Sequence, residues 1–275
     1  RANARLVTRA HIQETIQRRR HRADRPARHF RTLVAEGTMR IQTQGAEVGQ
    51  VNGLAVMHVG PLVYGFPARI TATIGPGTAG TINIEREAEL SGAIRTKGFY
   101  ILGGLLRFLL RSPHPLTFSA SIAFEQSYGG IDGDSASGAE MCCLLSALTD
   151  MPLRQDLAMT GAIDQVGHIQ PVGAVSNKIE GFFDICQDLG LTGTQGVLIP
   201  RANLGELMLR PEVVAACEEE RFHVYAVETI HQALALLTGR PAGTRDAEGR
   251  YPEHTLLHIA MERAHDYWNM VSTRP

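Results

Sequence analysis

The pattern of apolar and polar positions changes texture along the chain. Residues 3–22 space Leu6, Val7, Ile12 and Ile16 at loose helical intervals, which predicts a helix that "DRPARHF" then breaks. From about 38 to 90 the segments are short and rich in Val, Ile and Thr. "TMRIQT", "EVGQVNGLAVMHV", "ARITATIG" and "GTINIE" predict strands, with "GPGTAG" (75–80) as a turn. Residues 92–110 suit a helix, weakened by about 1 kcal/mol at each of Gly103 and Gly104. Phe118, Ala120, Ile122 and Phe124 alternate with small residues, as in a strand. Residues 135–149 are apolar nearly all round, which predicts a central, buried helix. "LAMTGAI" and "HIQPVG" read as two strands joined at "DQVG". A helix over 176–189 follows, with Ser176 as N-cap and Gly190 as its stop. Next come a buried strand, "GVLIP", and a helical stretch, "LGELMLRPEVVAACEEE", broken at Pro211. A strand, "RFHVYAVE", and a helix, "TIHQALALLTG", complete the pattern. After Gly239 a linker, "RPAGTRDAEGRYPEH", leads to a terminal helix, "LLHIAMERAHDYWNM". The order, β-rich and then alternating, predicts an α/β (α+β) fold: a β-rich N-terminal part followed by a helix-flanked sheet.

Composition narrows the classes. Of 275 residues, 44% are hydrophobic, enough for a sizeable core. No apolar run reaches the roughly 18 residues that span a bilayer. The start has neither an initiator methionine nor the apolar centre of a signal peptide, and reads as cut from a longer protein. Cys142, Cys143, Cys186 and Cys217 form no C-x-x-C pair. Three of them lie in apolar helical contexts that suit buried positions, which fits a reducing compartment rather than a disulfide or zinc framework. No G-x-x-x-x-G-K-[ST] occurs, so the chain carries no Walker-type ATP site. Net charge is −1, yet residues 1–31 hold ten arginines against Glu14 and Asp24. The expectation for that segment is an exposed helix contacting another domain. The alternative, nucleic-acid binding, is not favoured and would weaken steeply with salt.

The stretch "DGDSASGAEMCCLLSAL" (132–148) places Ser135 and Ser137 just where a buried helix begins. A serine there is either a cap or a nucleophile. Backbone N–H groups and the positive dipole end at a helix N-terminus would stabilise an oxyanion, and Gly129, Gly130 and Gly133 let the loop approach a substrate. The nucleophile needs a base. None of the eleven histidines has a distinctive local motif. Lysine is scarce: 25 of 27 basic residues are arginine, and the two lysines are Lys97 and Lys178. Lys178 falls in the first turn of a predicted helix, where the dipole disfavours a cation, and burial beside Ile179 and Phe182 would disfavour it further. A useful base near 7 to 8 requires lowering the ordinary value by about three units, or about 4 kcal/mol, within the range of buried lysines.

"DGDSAS" followed by "GAVSNKIEGF" resembles the proteolytic domain of the Lon protease family, in its LonB-like branch. "FEQSYGG", "TGAIDQVGHIQPVGAVSNKIEGFFD", "TGTQGVLIP" and "FHVYAVETI" share the likeness, which runs from about 36 to 240. The resemblance implies a Ser–Lys dyad of Ser135 and Lys178, 43 positions apart. It implies Thr160 as a hydrogen-bond partner of the lysine amine, and Asp132 as an acidic position that can pair with that lysine. Asp134 is expected to shape the turn, Ser137 to lie within the helix, and Lys97 to be structural or substrate-adjacent. Residues 1–31 would be the residual helix of an upstream AAA+ module or a linker, 32–240 the protease domain, and 241–275 a linker and C-terminal helix. The implied function is cleavage of unfolded polypeptides by a cytoplasmic homo-hexamer, in protein quality control. No cofactor is expected in this chain, since ATP and Mg belong to the ATPase module it lacks. A metal site and membrane contact are likewise not expected. The alternative is a ring-forming assembly domain whose dyad is idle.

Overall fold

A computed structural model of the chain describes residues 6–60, 62–78, 80–83, 93–126 and 133–272. In chain order its elements begin with α1 (Arg9–Ala23), α2 (Arg25–Ala35), β1 (Ala46–Glu47), β2 (Gln50–Val59), β3 (Leu62–Pro76) and β4 (Gly80–Asn83). Then come α3 (Ala93–Leu110), β5 (Phe118–Phe124), α4 (Ser137–Thr149), β6 (Leu153–Arg154), β7 (Leu157–Met159), β8 (Ala162–Ile163) and β9 (Ile169–Gln170). The last are α5 (Val175–Leu189), β10 (Gly196–Pro200), α6 (Pro211–Glu218), β11 (His223–Val227), α7 (Ile230–Thr238) and α8 (Leu256–Ser272).

Several boundaries differ from the sequence pattern, each for a local reason. "DRPARHF" ends α1 but also starts α2, because Pro26 sits in the first turn, where no intrahelical N–H is needed. Pro211 likewise opens α6 instead of breaking a longer helix. "TMRIQT" forms no strand. Its backbone groups pair with side chains: Arg40 N–H donates to Gln126 and Gln42 C=O accepts from Asn52, both at 2.8 Å. α5 begins at Val175 with Ala174 as N-cap. Ser176 therefore lies inside the helix, and its Oγ accepts from Met208 N–H at 3.0 Å.

Seven strands form one mixed sheet in the order β11-β10-β7-β2-β3-β5-β4. β11, β10, β7 and β2 run parallel, β2–β3–β5 antiparallel, and β4 parallel to β5. The α/β expectation holds. Period-2 alternation splits the core between the two faces. Leu157, Met159 and Leu198 join α3, α4, α7 and α8 on one side; Ala158, Val197 and Ile199 join α5 and α6 on the other. α4 is the hub of the larger core, with every residue buried except Ala147. β5 shows its predicted alternation, buried at Phe118, Ala120, Ile122 and Phe124.

The stretch after Gly239 does not hang free. Arg245 Nη2 donates to Phe108 C=O at 2.9 Å and also to Leu109 C=O, and Tyr251 Oη donates to Leu109 C=O at 3.1 Å. These bonds satisfy carbonyls at the C-terminal end of α3. α8 then buries Leu256, Leu257, Ala260 and Ala264 in the core.

Candidate active site

Ser135 stands in a turn, two residues ahead of the first residue of α4. Gly133 has φ 98°, a conformation that favours glycine, so the chain can fold tightly into that turn. Neither serine of the motif caps the helix: the N-cap is Ala136, with no side-chain cap. Ser137 is the first helical residue, as the sequence implies, and its Oγ accepts from Ile163 N–H at 3.0 Å. Asp134 closes the turn by accepting from Ser137 N–H at 2.9 Å. Among the described residues nothing accepts from the N–H groups of Ser135 and Ala136, which leaves two donors beside the Ser135 side chain.

The strand "LAMTGAI" is interrupted at Thr160 and Gly161, and that interruption builds the site. Thr160 N–H still donates to Leu198 C=O of β10 at 3.0 Å. The chain then turns to the loop that carries Ser135. Gly161 N–H donates to Ser135 C=O at 2.7 Å, and Gly138 N–H donates to Gly161 C=O at 3.0 Å. A side chain at Gly138 would lie 2.9 Å from Gly161 O, so glycine permits the approach. Thr160 Oγ1 donates to the same Ser135 C=O at 3.2 Å.

α5 brings in the lysine. Its packing on β3 is unusually close because both surfaces are bare at the crossing. A Cβ on Gly65 would lie 2.0 Å from Asn177 O and 2.6 Å from Lys178 Cα, and one on Gly181 would lie 2.0 Å from Gly65 O. Lys178 is 3% exposed, over Ile179 and Phe182, which are fully buried. Its Nζ lies 3.0 Å from Ser135 Oγ and 3.0 Å from Thr160 Oγ1. The single Thr160 proton is engaged with Ser135 C=O, so its oxygen faces Nζ as an acceptor. An amine N–H donated to Thr160 leaves the nitrogen lone pair for the Ser135 hydroxyl. Burial lowers the Lys178 ammonium pKa to about 8, against an opposing pull from the Asp134 carboxylate.

The sequence-predicted residues Ser135, Lys178 and Thr160 thus come together, while Asp132 lies outside the described residues. Lys97 is exposed on α3 beside Gly98, whose Cβ position is 3.0 Å from Asp134 Cβ. Among the described residues two His–carboxylate pairs occur, His168–Asp164 and His258–Glu262, and the shorter is exposed. His168 Nδ1 is 2.9 Å from Asp164 Oδ2, and among the described residues no serine hydroxyl bonds its ring. No group of three or more possible metal ligands occurs among the described residues. Sequence reasoning missed Gly65 and Gly181. Their signal, a glycine between two aromatic residues, Tyr64 and Phe66, and another within a helix, was present but common to many structures.

Residues 126–238 match the Lon protease (S16) C-terminal proteolytic domain. A protein of Escherichia coli (strain K12) named "Putative Lon protease homolog" is 42% identical over 250 residues, 90% of this chain and 42% of that protein. A protein of the same name from Haemophilus influenzae is 50% identical over 202 residues, 73% of this chain and 34% of its own length. An "Archaeal Lon protease" of Thermococcus kodakarensis is 31% identical over 199 residues, 71% of this chain and 28% of its length. The chain spans less than half the length of each of these relatives.

Proposed function

This chain belongs to the Lon protease family, and on that premise we propose that it is the proteolytic part of a serine endopeptidase in which Ser135 is the nucleophile and Lys178 its general base. The observation that carries the reading is a buried amine 3.0 Å from a serine hydroxyl, with a threonine oxygen holding its N–H.

The neutral Lys178 amine takes the proton from Ser135 Oγ as that oxygen attacks a peptide carbonyl. The N–H groups of Ser135 and Ala136 receive the developing oxyanion. The Lys178 ammonium returns the proton to the leaving amine as the C–N bond breaks, giving an acyl-enzyme. Water then attacks the ester, with Lys178 again as base, and Ser135 recovers its proton. Unfolded polypeptides are the substrates of this reading, fed by an upstream ATPase module within a cytoplasmic hexameric ring. Among the described residues no helix is long and apolar enough to cross a membrane.

The test is hydrolysis of an unfolded protein by the parent chain, Ser135→Ala and Lys178→Gln side by side. Loss in both variants is the expected result. Activity that survives Ser135→Ala unchanged overturns the dyad and leaves an assembly domain in its place.

A further inference from the structure

The outer face of α5 is held by charge. Glu180, Asp184 and Asp188 recur every four residues and form one stripe, opposite the face of Lys178, Phe182 and Cys186. Two arginines from distant parts of the chain grip it. Arg31 of α2 donates from Nε and Nη2 to the two oxygens of Asp188, both at 2.5 Å, with Nη1 3.8 Å from Asp184. Arg210, just ahead of α6, donates its backbone N–H to Glu180 at 2.9 Å and Nη2 to Asp184 at 2.5 Å, with Nε 3.3 Å from the Glu180 carboxylate. Packing on this flank is incomplete, although Phe30 of α2 meets Phe66 of β3 with ring centroids 5.3 Å apart. A cavity of about 150 Å³ lies between α2, β3 and α5, bordered by Phe30, Tyr64, Asn177, Glu180 and Arg210. The inner side of the helix meets β3 at the bare Gly65–Gly181 contact, a pivot flanked by one hydrogen bond from Asn177 Nδ2 to Val63 C=O at 2.9 Å, while Phe182, Phe183 and Cys186 pack into the core beside it.

We propose that Arg31 and Arg210 are positioning residues that fix the rotation of α5 about that pivot and so aim Lys178 at Ser135. The inference rests on the Ser–Lys reading above. A fork on one carboxylate, as Arg31 makes on Asp188, sets geometry as well as attraction, and both arginines are partly buried, where such pairs are less screened than on open surface. A helix turned by one ångström at Nζ is enough to separate the base from its hydroxyl. α2 thereby becomes part of the support of the site, although the charge pattern of its segment predicted an exposed helix.

Hydrolysis of an unfolded protein, corrected for the folded fraction, is measured for Arg31→Ala, Arg210→Ala, Arg31→Lys and the exchanged pair Arg31→Asp with Asp188→Arg. In parallel, ¹³C-labelled lysine is titrated by NMR. The chain holds two lysines, so Lys97→Arg assigns the Lys178 resonance by elimination. Asp134 is the charged group that acts on Lys178 among the described residues and is untouched by these changes. The expected result is a fall of about 10- to 100-fold in kcat for the alanine variants with little change in KM. It is accompanied by a rise of the Lys178 midpoint from about 8 toward the ordinary lysine value of 10.5, and by partial recovery in Arg31→Lys and the exchanged pair. Variants that fold and lose no more than their unfolded fraction, with Lys178 titrating as in the parent, overturn the proposal. If Ser135→Ala is inert in the same assay, that outcome removes the arginine clamp and leaves the dyad standing. If Ser135→Ala is fully active, both fall together.

Discussion

A lysine amine in hydrogen-bond reach of a serine and a threonine hydroxyl serves as a base only when it is neutral, so the environment of Lys178 has consequences for both rate and stability. Burial lowers its pKa from the ordinary 10.5 to about 8, and hydrolysis should rise with pH through about 8 as the ammonium is lost. The stability effect has the same sign. Below about pH 8 folded and unfolded chains are both protonated at this site, and the folded state bears the whole penalty of a buried cation. Between about 8 and 10.5 the unfolded chain binds more protons, so stability climbs with pH, and above 10.5 the penalty is gone. Lys178→Met should therefore stabilise the fold at neutral pH, by at most about 3 kcal/mol, since it also strips Thr160 of a partner. Urea denaturation near pH 7 and near pH 10.5 checks this, and a gain that does not shrink at the higher pH contradicts it. Thr160→Val keeps the shape but removes both the acceptor for Nζ and the donor to Ser135 C=O. It should lower kcat by about 10²-fold with KM little changed, with Thr160→Ser close to the parent. In the sequence, a helix-entry serine and a scarce lysine in a first helical turn each break the surrounding pattern, but it is the likeness of "DGDSAS" and "GAVSNKIEGF" to Lon proteases that pairs Ser135 with Lys178. The geometry of Thr160 was not legible there. It depends on where a strand stops, and "LAMTGAI" reads as unbroken until Gly161 N–H is seen to leave the ladder for Ser135 C=O.

At the scale of elements, the site depends on how near α5 can come to β3. Adding a methyl at Gly65 or Gly181 drives it into backbone atoms at 2.0 Å, which side-chain rotation cannot relieve. Gly65→Ala and Gly181→Ala should each destabilise the fold by about 1–3 kcal/mol and depress hydrolysis through displacement of Lys178. Gly173→Ala, where a Cβ would meet nothing within 4 Å, should change stability by no more than about 0.5 kcal/mol. Thermal denaturation of the three variants separates crowding from a general intolerance of glycine replacement. β10 was readable to the residue as the short apolar run "GVLIP", and β5 by the alternation of Phe118, Ala120, Ile122 and Phe124. Ends were not, because caps are decided by neighbours. Ser176 has the right chemistry for an N-cap, but its hydroxyl is taken by Met208 N–H and Ala174 occupies the position. The sheet order was likewise hidden, since β7 separates β2 from β10 by a pairing between segments about 100 residues apart in sequence.

For the whole molecule, the informative region is the one with the weakest sequence signal, the stretch after Gly239. Its composition reads as a linker with an appended helix. Yet Arg245 and Tyr251 close the end of α3, and α8 packs into the same core as α4, the helix that Ser135 precedes. The tail should thus unfold with the core that holds Ser135 and not before it. Leu257 is fully buried in that core, so Leu257→Ala leaves a void and should cost about 2–5 kcal/mol. Met270, on the same helix but 53% exposed, should tolerate alanine within about 0.5 kcal/mol. Urea titrations followed by far-ultraviolet circular dichroism and by Trp268 fluorescence supply the check, since that single tryptophan lies on α8, stacked on His114 at 4.7 Å. Coincident transitions, shifted together by Leu257→Ala, are the expected outcome. A fluorescence transition at lower urea than the loss of helix signal would mean that α8 is a separable appendage, and the core that holds Ser135 would then have to be stable without it.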